Sequence, residues 1–165
     1  MSAIEWLCAR AHGFEELRPE ERDAIMHFSL LWSYFEARVL DHCASARRIV
    51  DLARYWGGRD QLNDAALDHN LSYFRQRYFR GGTATRDFDD LRFRKNDKRD
   101  LVEAVLKGEN TNLSDCIAAL LIIVFRLRNN LFHGSKWDYG LYGQFDNFTH
   151  ANEVLMRALD LTDQA

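Results

Sequence analysis

From Leu113 to Phe125 the chain offers almost no polar face: Ala118, Leu121, Ile122, Phe125 and their apolar neighbours surround the helix that Asn112 is placed to open. A helix that is hydrophobic all round belongs at the centre of a bundle or at an interface. Its most lipid-like part, Ile117 to Phe125, is about half of the roughly 20 residues that a membrane span needs. A core helix is therefore expected, with no membrane partner.

One proline, Pro19, and nine glycines supply little of the turn chemistry that an all-β chain needs at every hairpin. The rest of the sequence accordingly reads as helices with short breaks. Ser2 and Glu5 form a capping box for a short first helix ending near Gly13. Pro19 suits the first turn of the next. Ile25, Phe28, Leu31, Trp32, Phe35, Val39 and Cys43 recur at spacings of three and four, and Ile49, Val50 and Ala53 carry the pattern on to Gly57-Gly58. Residues 20 to 56 read equally as one long helix or as two broken near Ala44-Ser45. Asn63 or Asp64 can cap a helix that buries Leu67, Leu71, Phe74 and Tyr78 and stops at Gly81-Gly82. After an irregular stretch, Asp97 with Asp100 is expected to cap a helix carrying Leu101, Val102, Val105 and Leu106 to Gly108. The apolar helix runs to about His133, with Gly134 as its left-handed C-cap. A loop containing Trp137, Tyr139, Tyr142 and Phe145 leads to a last helix with Phe148, Val154, Leu155 and Leu159. The 165 residues allow one domain, 1–165, and not two comfortable ones.

Three widely spaced cysteines, Cys8, Cys43 and Cys116, each within an apolar helical pattern and without a CxxC, argue against a disulfide framework or a zinc site. The N-terminal MSAIEWLCARAHGFEE has neither the basic nor the long apolar region of a signal peptide. A reducing, cytoplasmic setting is expected. Net charge is -3, yet residues 75 to 99 carry nine Arg or Lys against four Asp. Such a segment suits a phosphate-bearing partner, although a solvated helix face reads the same way.

The chemistry is concentrated where the apolar helix abruptly becomes polar, in Arg126-Leu127-Arg128-Asn129-Asn130-Leu131-Phe132-His133-Gly134-Ser135-Lys136. A core helix does not need that change. At roughly 100° per residue, Asn129 and His133 lie one turn apart on one face, and the long Arg128 side chain can swing towards the same point. Imidazole moves protons near neutrality, guanidinium forks onto phosphate oxygens, and a carboxamide orients either one. With RNA the 2′-hydroxyl is an internal nucleophile, so a His base and an Arg that stabilises the pentavalent phosphate suffice, without a metal. The same residue types also suit an ordinary helix end, where the macrodipole favours cations.

The stretch RNNLFHGSK, with Arg128 and His133 in Arg-x4-His spacing, Asn129 after the Arg, and Gly134 and Lys136 following, resembles the signature of the HEPN superfamily (higher eukaryotes and prokaryotes nucleotide-binding). The resemblance implies an all-α, HEPN-like bundle of four to six helices, with the motif on a long central apolar helix. It also implies a homodimer through the motif-bearing helices, in which two Arg128/Asn129/His133 sets face one RNA cleft. The implied activity is metal-independent, cofactor-free endoribonuclease action of a toxin or antiviral effector, with an antitoxin or nucleotidyltransferase partner in trans. Other members bind nucleotide or RNA without cutting it, or act as protein-interaction modules.

Arg126, Asn130 and Lys136 flank the motif as candidate substrate-binding groups. Glu36, at the edge of the Phe28/Trp32/Phe35 stripe, can pair with a motif Arg or be a boundary charge. Tyr73, Phe74, Tyr78, Phe79 and Phe93 interleave with the basic run and could stack bases, but at helical spacing they fit the core as well. His12, His27, His42, His69 and His150 show no partner spacing that marks a site.

Overall fold

The computed structural model describes residues 1–59, 67–133, 141 and 143–163. It is mostly helical, in the order α1 (Ala3–Arg10), α2 (Pro19–Val39), α3 (Ala46–Gly58), α4 (Asp68–Tyr78), β1 (Phe79–Arg80), β2 (Thr83–Ala84), α5 (Arg86–Asp89), α6 (Arg99–Lys107), α7 (Leu113–Phe132) and α8 (Phe145–Asp163). None of the described helices is long and apolar enough to cross a membrane.

The apolar helix α7 is the axis of the fold, buried at every position from Cys116 to Leu127. α3 and α6 pack directly on it, while α2 lies along α8. Aromatic contacts close the remaining seams: Phe28 meets Phe148 at 5.0 Å between ring centres, and Trp32 stacks on Phe125 at 5.9 Å. Such pairs add about 0.5–1.5 kcal/mol each beyond the area they bury.

Local signals set several helix starts. The Ser2–Glu5 capping box is present, with both reciprocal hydrogen bonds. Pro19 occupies the first turn of α2, and Asn112 Oδ1 accepts from the Asp115 N–H at the head of α7. Asn112→Ala should cost about 1 kcal/mol by orphaning that N–H, read as a lowered urea midpoint.

The long segment from 20 to 56 is two helices. Asp41 and His42 both take positive φ (49° and 55°), a left-handed pair that α2 cannot pass through. Ser45 then caps α3 by accepting from the Arg48 N–H. Cys43 falls in the break and is exposed, off the apolar stripe its spacing had suggested.

Two further expectations need correction. Gly81-Gly82 does more than stop α4: with φ of 57° and 79° it forms the two-residue turn of a small antiparallel hairpin, Phe79 pairing with Ala84 and Arg80 with Thr83. Asp97 does not cap α6, whose N-cap is Lys98 in a left-handed conformation with no side-chain bond. Asp97 is instead buried, accepting from the Arg94 N–H at 2.8 Å. The caps expected from Asn63, Asp64 and Gly134 lie outside the described residues.

Candidate functional site

Helical phase divides the end of α7 into three faces, because residues four apart share a side while residues two apart diverge by roughly 200°. Arg126 and Asn130 form one face, turned towards the connection between α5 and α6. Arg126 is 3% exposed; its Nε donates to Leu91 O at 3.0 Å and Nη2 to Arg92 O at 2.6 Å. Nη1 lies 2.9 Å from Asp97 Oδ2, an ion pair not aligned as a hydrogen bond. Burial holds this guanidinium below its ordinary pKa, against the upward pull of Asp97. Asn130 Nδ2 donates to Asp90 O and Leu91 O. Both side chains pin the 90–97 connection to the core helix, which is where the structure places these two candidate substrate-binding residues.

Arg128 and Phe132 form the second face, against α2. Arg128 Nη1 donates to Asn129 Oδ1 at 2.9 Å, and Nη2 reaches Glu36 Oε2 at 3.3 Å. That same carboxylate oxygen accepts from Trp32 Nε1 at 2.8 Å. The guanidinium also sits 5.7 Å from the Trp32 ring centre and 5.4 Å from that of Phe132, an aromatic clamp that fixes its plane. Its Nε is buried without a hydrogen-bond partner. Of the two roles open to Glu36, the structure gives pairing with the motif Arg.

The third face holds Asn129 and His133. The His133 backbone N–H closes the last turn of α7 on Asn129 O at 3.0 Å, and its imidazole is exposed. Among the described residues the side-chain contacts join Arg128 to Asn129 but make no bond from either to His133. Lys136 lies outside the described residues.

Arg128, Glu36, Trp32 and Phe132 line a groove of about 520 Å³, whose remaining wall is Ser29, Leu30, Ser33, Ala37 and His42. His42 was invisible to spacing arguments because it stands far from the motif in sequence. The left-handed turn after α2 brings it there. Part of the basic run is engaged within the molecule: Arg75 bonds Val105 O, Arg77 lies 3.6 Å from Asp87, and Arg99 pairs with Asp89 and Glu103. Phe74, Tyr78 and Phe79 are buried, and burial pushes the Tyr78 phenol well up from its ordinary pKa. They are core residues, unavailable to stack bases.

Compared with family profiles, characterised proteins and solved structures, the chain matches none.

Proposed function

We propose that the chain is a metal-independent endoribonuclease of the HEPN type, acting at a site that two copies complete. The observation that carries this reading is the Arg128 guanidinium, lining a groove, clamped by Trp32 and Phe132 and tied to Glu36 and to Asn129, with the exposed His133 one turn on from Asn129. A guanidinium held in place at the wall of an accessible groove suits a phosphodiester that displaces the Glu36 carboxylate. In the reaction the RNA 2′-hydroxyl oxygen attacks the neighbouring phosphorus and the bond to the 5′-oxygen breaks, leaving a cyclic phosphate. One His133 takes the 2′ proton, the His133 of the second copy protonates the leaving oxygen, and Arg128 balances charge on the pentavalent phosphorus.

Packing narrows how two copies can meet. From Cys116 to Leu127 α7 is covered by its own chain, whereas at its C-terminal tip Arg128 is half-buried and Phe132 and His133 are exposed and can reach a partner. Beside that tip the exposed side of α2 carries Met26, Leu30 and Tyr34 at helical spacing, and Phe132 is exposed too. This apolar surface suits a second copy of the same chain. An antitoxin or nucleotidyltransferase in trans would act by covering this tip.

A second reading, a nucleotide- or RNA-binding module without cleavage, is favoured by the Glu36 carboxylate occupying Arg128 and by the lack, among the described residues, of a bond from His133 to the Arg128/Asn129 pair. The discriminating measurement is RNA cleavage by the purified chain in EDTA. The first reading expects products ending in cyclic phosphate, with His133→Ala slower by about 100-fold or more. Uncut RNA that still binds, equally in wild type and His133→Ala, establishes the second.

A further inference from the structure

On the side of the molecule where α4 meets α8, three groups that can bind a metal converge. His69 stands at the start of α4, and His150 and Glu153, three residues apart, share one face of α8. His69 Nε2 lies 2.7 Å from Glu153 Oε2, and His150 Nδ1 lies 3.6 Å from the same oxygen. All three candidate ligand atoms fall within 4.8 Å of one another. Ligands of a tetrahedral zinc ion stand roughly 3.4 Å apart, given metal–ligand bonds of about 2.1 Å.

A second observation comes from Asn70, which is fully buried beneath the cluster. Its Nδ2 faces Glu153 Oε2 at 2.7 Å, His150 Nδ1 at 2.9 Å and His69 Nε2 at 3.4 Å. The two hydrogens of that nitrogen serve Glu153 Oε2 and His150 Nδ1, with His69 Nε2 donating to the same carboxylate oxygen, while Asn70 Oδ1 is buried with no partner. Carboxamide oxygen and nitrogen are interchangeable by a half-turn of the side-chain end. That turn would put Oδ1, a metal-binding atom, among the other three. Two imidazole nitrogens and a carboxylate oxygen gathered around one point, over a buried carboxamide whose oxygen goes unused, give a cation three ligands and, after that half-turn, a fourth.

The surroundings hold the ligands in place. Tyr73 stacks on the His150 ring at 4.0 Å and 13°, and its hydroxyl donates to Asn147 Oδ1 at 3.0 Å, which fixes the imidazole plane. Exposure rises from His150 (19%) through Glu153 (38%) to His69 (61%), a path from the interior to solvent along which an ion can enter.

We propose that His69, His150 and Glu153 form a site for a divalent late first-row transition metal of the zinc class, with Asn70 or water as fourth ligand, which ties α4 to α8. Two imidazole nitrogens and one carboxylate oxygen suit that class better than the oxygen-only preference of Ca²⁺ or Mg²⁺. The site uses no cysteine, so the cysteine pattern could not have disclosed it. It is independent of the ribonuclease reading.

The test titrates the chelator-stripped full chain with Co²⁺, followed by its visible absorption, and with Zn²⁺ against a chromophoric competitor. The expected result is one ion per chain, binding weakened about tenfold or more in His69→Ala and in Glu153→Gln, and a thermal midpoint raised by Zn²⁺ in the wild type only. His69 is exposed, so its alanine variant should fold, and its circular dichroism checks this. The proposal is overturned if no saturable binding occurs at micromolar metal, or if both variants bind as the wild type does, which would place the ion on other surface histidines.

Discussion

Arg128→Ala should slow RNA cleavage by about 100-fold to 1,000-fold, the cost of removing a positioned donor from a developing oxyanion. Arg128→Lys should fall nearer to the alanine variant than to the wild type. A lysine ammonium is a point charge that cannot span Asn129 and Glu36 together, and it lacks the planar face that Trp32 and Phe132 clamp. Glu36→Gln separates orientation from competition. The glutamine can still accept from Trp32 Nε1, but its lost charge no longer holds Arg128 against an incoming phosphate. RNA binding should therefore tighten severalfold in Glu36→Gln, measured by fluorescence anisotropy on uncleavable 2′-deoxy substrate. Unchanged binding in Glu36→Gln together with full cleavage in Arg128→Ala would remove the groove from the mechanism.

How much of this was legible depended on whether the deciding interaction was local. The capping box at Ser2 and Glu5, Pro19 in the first turn of α2, the Asn112 cap and the Gly108 stop each involve residues within four positions, and they stand where the sequence puts them. Asp97 failed because its partner, Arg126, lies on another helix, and burial with that cation outweighed capping. The Gly81-Gly82 hairpin was legible in principle: two glycines between short strand-like pairs are a turn signal, masked here by the helical pattern running up to Tyr78. Within the motif, spacing put Asn129 and His133 on one face with Arg128 able to swing to the same point, and named Arg126 as a flanking group. Among the described residues Arg128 bonds Asn129, neither bonds His133, and Arg126 lies apart. Phase alone separates them, since Arg126 and Arg128 are two residues apart and point to opposite sides. Glu36 was visible as a charge at the edge of an apolar stripe. His42, and the cluster of His69, His150 and Glu153, depend on contacts between distant segments, which no periodicity encodes.

The division of α7 into faces carries its own prediction, because the two arginines should fail in opposite ways. Asp97→Ala leaves the Arg126 guanidinium charged and almost fully buried with only the Leu91 and Arg92 carbonyls for company, and it also removes the acceptor for the Arg94 N–H. Unpairing a buried ion of this kind costs about 3–5 kcal/mol. For a chain of this size that lowers the thermal midpoint by on the order of 10 °C. Arg126→Met with Asp97→Asn removes both charges and keeps volume, so the double variant should be more stable than Asp97→Ala alone, a coupling that urea midpoints resolve. Below its unfolding temperature Arg126→Met should keep the wild-type cleavage rate, since its side chain points to the 90–97 connection and not to the groove. Arg128→Ala should show the reverse: a small loss of stability, because the pair with Glu36 is partly solvated, and a large loss of rate. If Arg126→Met instead lost cleavage while folded, the connection it pins would belong to the RNA-binding surface, and the site would extend across the end of α7 rather than lie on one side of it.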